Sequence, residues 1–141
     1  MRILGLDFGE RRIGVALSDP SAIIAQPLAV IERRGLAEDI GSIKALISQH
    51  GVESVVMGLP LTLKGERGPQ AQRALAFGNE LKRATQVAIE WMDERFTTAQ
   101  GSRALSEAGE NGRQQKKRID QVAAQLILQS YLDSKHAKKT A

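Results

Sequence analysis

Short apolar runs separated by polar turns fill the first part of the chain. The first run covers residues 3–8 and contains Asp7 near its end, and a second run covers residues 13–17 after a turn that includes a glycine. Two short apolar runs joined by a tight turn predict a β-hairpin, which places Asp7 at the end of the first strand. A third strand is predicted over 26–31, with a proline near its start.

The middle of the chain alternates between helical and strand patterns. Apolar residues recur at helical spacing over 36–50, with Gly51 as a stop signal, and again over 69–84, where a proline opens the helix. Between these helices, the run 53–60 is too hydrophobic for an exposed edge, so we predict a buried strand parallel to the first. A fifth strand is predicted over 86–92.

The last third of the chain predicts two further helices on either side of a polar segment. A threonine can cap a helix over 97–109, and the following segment 109–118 has no apolar residue, which predicts a mobile loop. A final helix over 119–132 carries one apolar stripe and a second stripe of three glutamines spaced four residues apart. Residues 135–141 are predicted to form a disordered basic tail.

The predicted order is three strands, a helix, a strand, a helix, a strand and two helices. Three sequential strands followed by helical crossovers give an α/β domain over residues 1–134, with one five-stranded mixed sheet and helices on both faces. This order is typical of the ribonuclease H-like fold.

Composition agrees with an ordinary globular domain. The chain has 141 residues, of which 42% are apolar and 26% charged, enough for one hydrophobic core. It contains no cysteine, which excludes disulfides and thiolate zinc sites. No signal peptide and no membrane-spanning apolar run are found, so a cytoplasmic location without a membrane partner is expected.

The net charge of +4 comes from the C-terminal quarter of the chain. Residues 110–141 carry seven basic and three acidic side chains, whereas the remainder is balanced. A concentrated positive segment suits a polyanion such as nucleic acid, and it equally suits a solvated linker and basic tail. Charge alone does not separate these interpretations.

Three acidic residues lie where a predicted element meets a loop. Asp7 ends the first strand, Glu94 follows the fifth, and Asp120 opens the final helix. A helix packed across the sheet could bring the third carboxylate beside the other two, and Mg²⁺ or Mn²⁺ prefers such oxygen ligands. Two such ions can activate water and stabilise the leaving oxygen in phosphodiester cleavage. The alternative is that Glu94 and Asp120 are surface acids, with Asp120 favouring a helix N-terminus.

Four segments resemble the YqgF/RuvX family, in order and over nearly the whole chain. They are 1–17 with its Asp7-Phe8-Gly9 turn, 55–61, 93–98 and 116–124. The resemblance implies a ribonuclease H-like nuclease, described as a Holliday junction resolvase and implicated in maturing the precursor of small-subunit ribosomal RNA. It also implies that Asp7, Glu94 and Asp120 are the catalytic and metal-binding acids.

One rival ligand and several basic residues complete the candidate site. Strand alternation does not exclude Asp93 in place of Glu94, and only the family resemblance prefers Glu94. Nine basic residues near the acids or in the polar segment are candidate phosphate contacts, although each alone could be a surface charge. They are Arg11, Arg12, Lys64, Arg67, Arg95, Arg113, Lys116, Lys117 and Arg118.

Three functions compete on these grounds. The leading hypothesis is a two-metal endonuclease for structured nucleic acid, with 5′-end processing of pre-16S ribosomal RNA preferred over cleavage of branched DNA. The second is an ATPase of the actin and sugar-kinase type, whose phosphate loop also follows the first strand, but those proteins need a second domain. The third is a non-catalytic nucleic-acid-binding module, which the intact acids disfavour.

Overall fold

The computed structural model describes residues 1–62, 64–94 and 113–140. Within these ranges the chain forms five strands and three helices. They are β1 (Arg2–Phe8), β2 (Arg12–Ser18), β3 (Ala25–Glu32), α1 (Leu36–His50), β4 (Val52–Leu59), α2 (Pro69–Thr85), β5 (Ala88–Asp93) and α3 (Arg113–Thr140). None of these helices is long and apolar enough to cross a membrane.

The described strands form one mixed sheet in the order β3-β2-β1-β4-β5. β2 pairs antiparallel with both β1 and β3, whereas β4 runs parallel to β1 and β5 runs parallel to β4. The carboxyl ends of β1, β4 and β5 therefore lie at the same edge of the sheet. The predicted five-stranded mixed sheet is confirmed.

The two faces of the sheet bury separate hydrophobic clusters. Alternation along β1 directs Leu4 and Leu6 towards α1 and α2, and Ile3 towards α3. α3 contacts β1, β2, β3 and β4 across its face, while α1 and α2 cover β4 on the other face. The prediction of helices on both faces is also confirmed.

Small residues bring α3 unusually close to the sheet. A Cβ atom on Gly5 of β1 would lie only 2.7 Å from the Cβ of Leu128, and Ala16, Ala123 and Ala124 are fully buried in the same layer. A larger side chain at Gly5 would push the helix away, because nothing in this layer can yield without moving backbone. The position of α3 matters because this helix carries Asp120.

Side-chain hydrogen bonds also attach α3 to the connection between β2 and β3. The Gln129 side chain accepts a hydrogen bond from the N–H of Ala25 (2.9 Å) and donates one to the carbonyl of Ile23 (3.0 Å). Within this connection, Asp19 accepts hydrogen bonds from the N–H groups of Ile24 and Ile23, which lower the pKa of its carboxyl below the ordinary value of 3.8. Two residues of the predicted glutamine stripe, Gln125 and Gln129, therefore attach α3 to the end of this connection and the start of β3.

Both ends of α3 differ from the prediction. The helix begins at Arg113, so the mobile loop predicted over 109–118 is wrong for its last six residues. The prediction that Asp120 opens the helix is wrong for the same reason, because Asp120 lies inside it. Glutamine, lysine and arginine are good helix formers, and a lack of apolar residues indicates exposed turns as readily as a loop. At the other end the helix continues to Thr140, where a disordered tail had been predicted from residue 135. The predicted helix 97–109 lies outside the described residues.

Candidate active site

Asp7 lies near the end of β1 on the sheet face that α3 covers. Ile3 and Gly5 point to this face, and strand alternation gives Asp7 the same direction. The residue is only 3% exposed. In the antiparallel pairing, Gly14 of β2 lies directly opposite Asp7.

The backbone of α3 at Asp120 packs against Gly14, the residue opposite Asp7. A Cβ atom on Gly14 would fall 2.0 Å from the carbonyl oxygen of Asp120, closer than any real contact. Only glycine can therefore occupy position 14 while α3 keeps its place. Because Gly14 pairs with Asp7, this contact brings Asp120 next to the carboxyl end of β1.

Glu94 reaches the same edge from the other side of β1. Met57 of β4 pairs with Leu6 of β1, and the same parallel register places Gly58 beside Asp7. A Cβ atom on Gly58 would lie 3.0 Å from both Cγ and Oε1 of Glu94. The Glu94 side chain, which is 2% exposed, therefore occupies the space that a glycine leaves over β4.

The packing around β5 shows which of Asp93 and Glu94 faces α3, a choice that strand alternation in the sequence left open. Trp91 packs in the cluster under α1 and α2, and Met92 packs in the cluster under α3. Alternation then directs Asp93 to the α1 and α2 side. Glu94 contacts Gly58 on the α3 side, the face of Asp7. The packing therefore favours Glu94 over Asp93 as the partner of Asp7.

The donor chemistry at this edge suits a divalent cation, with one departure. Carboxylate oxygens are the ligands that Mg²⁺ and Mn²⁺ prefer, and the glycines at 14 and 58 let the Asp120 backbone and the Glu94 side chain approach the strands beside Asp7. However, no group of three or more His, Cys, Asp or Glu side chains within residues 1–62, 64–94 and 118–136 is arranged to hold a metal ion. The Asp120 carboxylate instead forms an ion pair, in which Arg12 Nε lies 2.8 Å from Asp120 Oδ2.

The turn between β1 and β2 is held in shape by Arg33. The N–H of Gly9 donates to the carbonyl of Arg12 (2.9 Å), closing the turn. Nη1 of Arg33 donates to the carbonyls of residues 9 and 10, at 3.2 and 3.1 Å. The Arg33 guanidinium also lies 4.4 Å from the centre of the Phe8 ring. These contacts fix the backbone that carries Arg12 beside Asp120.

Asp39 supports this arrangement from the first turn of α1. It is 1% exposed, its Oδ2 lies 3.6 Å from Nε of Arg33, and its Oδ1 accepts the N–H of Arg34 at 3.0 Å. Sequence reasoning missed both Arg33 and Asp39. The only signal was an acid in the first turn of a helix, which marks a helix start and not a distant turn.

The described basic candidates lie at the same edge as the acids. Arg11 is exposed in the turn after β1, Lys64 and Arg67 are exposed in the connection after β4, and Arg118 is exposed two residues before Asp120. Arg12, predicted as a phosphate contact, is engaged with Asp120. Three more candidates belong to the first turns of α3, where the backbone alone is described, and one lies outside the described residues. They are Arg113, Lys116 and Lys117, and then Arg95.

Comparison with protein families and curated proteins gives consistent matches over nearly the whole chain. The family model described as "RuvX: Holliday junction resolvase" matches residues 1–134. A protein of Desulforudis audaxviator is 48% identical over 136 residues, covering 96% of each chain, and one of Moorella thermoacetica is 47% identical over 133 residues, covering 94% of this chain and 95% of the relative. Both carry the name "Putative pre-16S rRNA nuclease".

Comparison with solved structures identifies the fold. The structure of Thermus thermophilus RuvC in complex with a Holliday junction substrate superimposes with a TM-score of 0.61, covering 97% of this chain and 96% of RuvC. The two sequences are 13% identical, so this likeness is one of fold. The predicted ribonuclease H-like fold is confirmed.

Proposed function

The chain belongs to the RuvX family, and from that premise we propose that it is a metal-dependent endonuclease that cleaves phosphodiester bonds in structured nucleic acid. One observation carries the proposal: Asp7, Glu94 and Asp120 come from three separate elements to one sheet edge, beside the glycines at 14 and 58. We further propose that residues 1–134, which the family model spans, form a single nuclease domain.

Each acid has a role in this proposal. Asp7 and Glu94, both buried and directed to the α3 side, would hold the cation together with Asp120. Bound Mg²⁺ or Mn²⁺, as one ion or as a pair, would lower the pKa of water and stabilise the charge on the leaving oxygen. The exposed side chains of Arg11, Lys64 and Arg67 would bind neighbouring phosphates and orient the strand, without contributing sequence specificity.

For the substrate we propose the precursor of 16S ribosomal RNA, cut at its 5′ end in the cytoplasm. The support is the name shared by relatives at 47–48% identity. The family description favours a four-way DNA junction as the second candidate. The acids and basic residues at this edge suit a phosphodiester of either polymer.

A cleavage panel tests the proposal. Labelled pre-16S RNA, a four-way DNA junction and matched duplexes are incubated with the protein in Mg²⁺, in Mn²⁺ and in chelator. We expect RNA cleavage only with metal. We expect Asp7→Asn, Glu94→Gln and Asp120→Asn each to lower the cleavage rate by more than about 100-fold. Mutating a residue that only supports a metal ligand already costs up to about 100-fold in activity, and loss of the ligand itself should cost more.

Asp93→Asn is the matched control for these variants, because it removes one carboxylate next to Glu94 but on the other sheet face. Its cleavage rate should stay within a few-fold of wild type. Preferential cutting of the DNA junction would select the second substrate. Nucleic-acid binding without metal-dependent cleavage would instead identify a binding module and reject the nuclease.

A further inference from the structure

Arg12 and Asp120 form a short ion pair at the edge of the acid site. Nε of Arg12 donates to Oδ2 of Asp120 at 2.8 Å, and the two side chains are 14% and 17% exposed. A charge-assisted hydrogen bond of this length, mostly shielded from water, is stronger than an ordinary surface pair. The pair joins residues 108 positions apart in the chain. It connects α3, seven residues after the helix begins at Arg113, to the first residue of β2.

The location of the pair gives it an electrostatic role. Asp7 and Glu94 are nearly fully buried beside it, and a third carboxylate brought to the same edge adds like-charge repulsion. The Arg12 guanidinium compensates that charge. The backbone at Arg12 is held in place, because the Arg12 carbonyl accepts a hydrogen bond from the N–H of Gly9, and Arg33 donates to the carbonyl of Gly9 in the same turn.

We propose that Arg12 is a positioning residue that holds Asp120 until a divalent cation binds, when Asp120 exchanges the guanidinium for the cation. The released guanidinium is then available to a phosphate of the nucleic acid, for which its planar set of donors is well suited. The exchange accounts for two observations together: the acids share one edge, yet the Asp120 carboxylate is turned towards Arg12. This inference rests on the proposed metal-dependent nuclease.

Metal affinity, measured without nucleic acid, tests the exchange. Mn²⁺ and Mg²⁺ are titrated calorimetrically into the wild type, Arg12→Gln and Arg11→Gln. The Arg11 variant is the matched control, since it removes the same charge from the adjacent exposed position. We expect Arg12→Gln to bind the cation about fivefold more tightly than Arg11→Gln, because the cation no longer has to displace the Arg12 guanidinium from Asp120. A factor of this size is typical of an ion pair that is neither fully exposed nor fully buried. In an Asp120→Asn background, the Arg12 substitution should have no such effect.

Thermal unfolding provides a second measurement. Arg12→Gln should melt below wild type in chelator, and the difference should shrink in saturating metal, where the wild-type pair has already opened. Arg12→Lys keeps the charge, so its metal affinity should stay near wild type, while it should bind nucleic acid more weakly because lysine lacks the planar fork.

Two results would overturn the inference while leaving the nuclease proposal intact. One is equal metal affinity in Arg12→Gln and Arg11→Gln, with the wild type binding metal and cleaving. The other is a melting deficit of equal size with and without metal, which identifies a purely structural pair. A wild-type protein that neither binds Mg²⁺ or Mn²⁺ nor cleaves would overturn both proposals.

Discussion

Gly14 adjoins two of the candidate acids, since it pairs with Asp7 across the strands and the backbone of Asp120 packs against it. Because a Cβ at this position would lie 2.0 Å from the carbonyl oxygen of Asp120, Gly14→Ala must displace α3 from β2. We expect a loss of about 1–3 kcal/mol in the free energy of unfolding, as for other overpacked positions. Cleavage should fall as well, since Asp120 moves with the helix. Urea unfolding and the cleavage assay measure the two effects.

Gly41→Ala is the matched control for this substitution. Gly41 lies within α1, and a Cβ there would meet nothing within 4 Å. The same chemical change should therefore raise stability by up to about 1 kcal/mol through helix propensity, with cleavage unchanged. A Gly14→Ala protein as stable and active as wild type would contradict the close contact between α3 and β2.

The residues of the candidate site differ in how far their sequence positions reveal them. The sequence could single out Asp7, Glu94 and Asp120 because each lies where a predicted element meets a loop. Such a boundary can be read from the sequence without knowledge of the fold. Arg33 contacts the turn after β1, and Asp39 lies against Arg33. The residues next to them in the sequence give no sign of this contact with the turn. The Arg12–Asp120 pair likewise depends on where α3 crosses the sheet, which local patterns do not contain.

At the scale of elements, strands were predicted more accurately than the last helix. The predicted strand 53–60 agrees with Val52–Leu59 to within one residue, since burial on both faces gives a continuous run without polar residues over 55–59. The fifth strand begins two residues later than predicted, because Gln86 adopts a left-handed conformation that caps α2. α3 extends beyond its apolar stripe at both ends, and an exposed helical turn has no apolar periodicity to mark it.

The basic first turns of α3 carry the next prediction. Replacing Arg113, Lys116, Lys117 and Arg118 together by alanine should weaken nucleic-acid binding while the helix persists, because alanine is the strongest helix former. Each lost phosphate contact should flatten the slope of log affinity against log salt by about 0.7 on single strands or 0.9 on duplexes. Fluorescence anisotropy at several salt concentrations measures the slope.

Lys138→Ala with Lys139→Ala is the control for this prediction, because it removes positive charge from the far end of the same helix. That end is about 30 Å away along the helix axis, at 1.5 Å per residue, which is well beyond the screening length of about 8 Å at physiological salt. The control should leave the salt slope unchanged. An unaltered slope in the quadruple variant would exclude the start of α3 from the binding surface.

At the scale of the whole molecule, one sheet is shared by two hydrophobic clusters. The cluster with α1 and α2 and the cluster with α3 lie on opposite faces of the same five strands. The central strands β2, β1 and β4 each contribute side chains to both clusters, as β1 does with Leu4 in one cluster and Ile3 in the other. Loss of either cluster exposes one face of the strands that the other requires, so we expect the chain to unfold as one cooperative unit.

Leu128→Ala tests this coupling, because Leu128 is fully buried under α3 and the only tryptophan, Trp91, packs on the opposite face. We expect a loss of about 2–5 kcal/mol, as for other buried leucines. In urea, the midpoint followed by Trp91 fluorescence should fall by the same amount as the midpoint followed by helical circular dichroism. Leu36→Ala, at a leucine that is 51% exposed on α1, should leave both midpoints nearly unchanged. If the Leu128 variant lowered only the dichroism midpoint, the two faces would unfold separately and the single cooperative domain would be rejected.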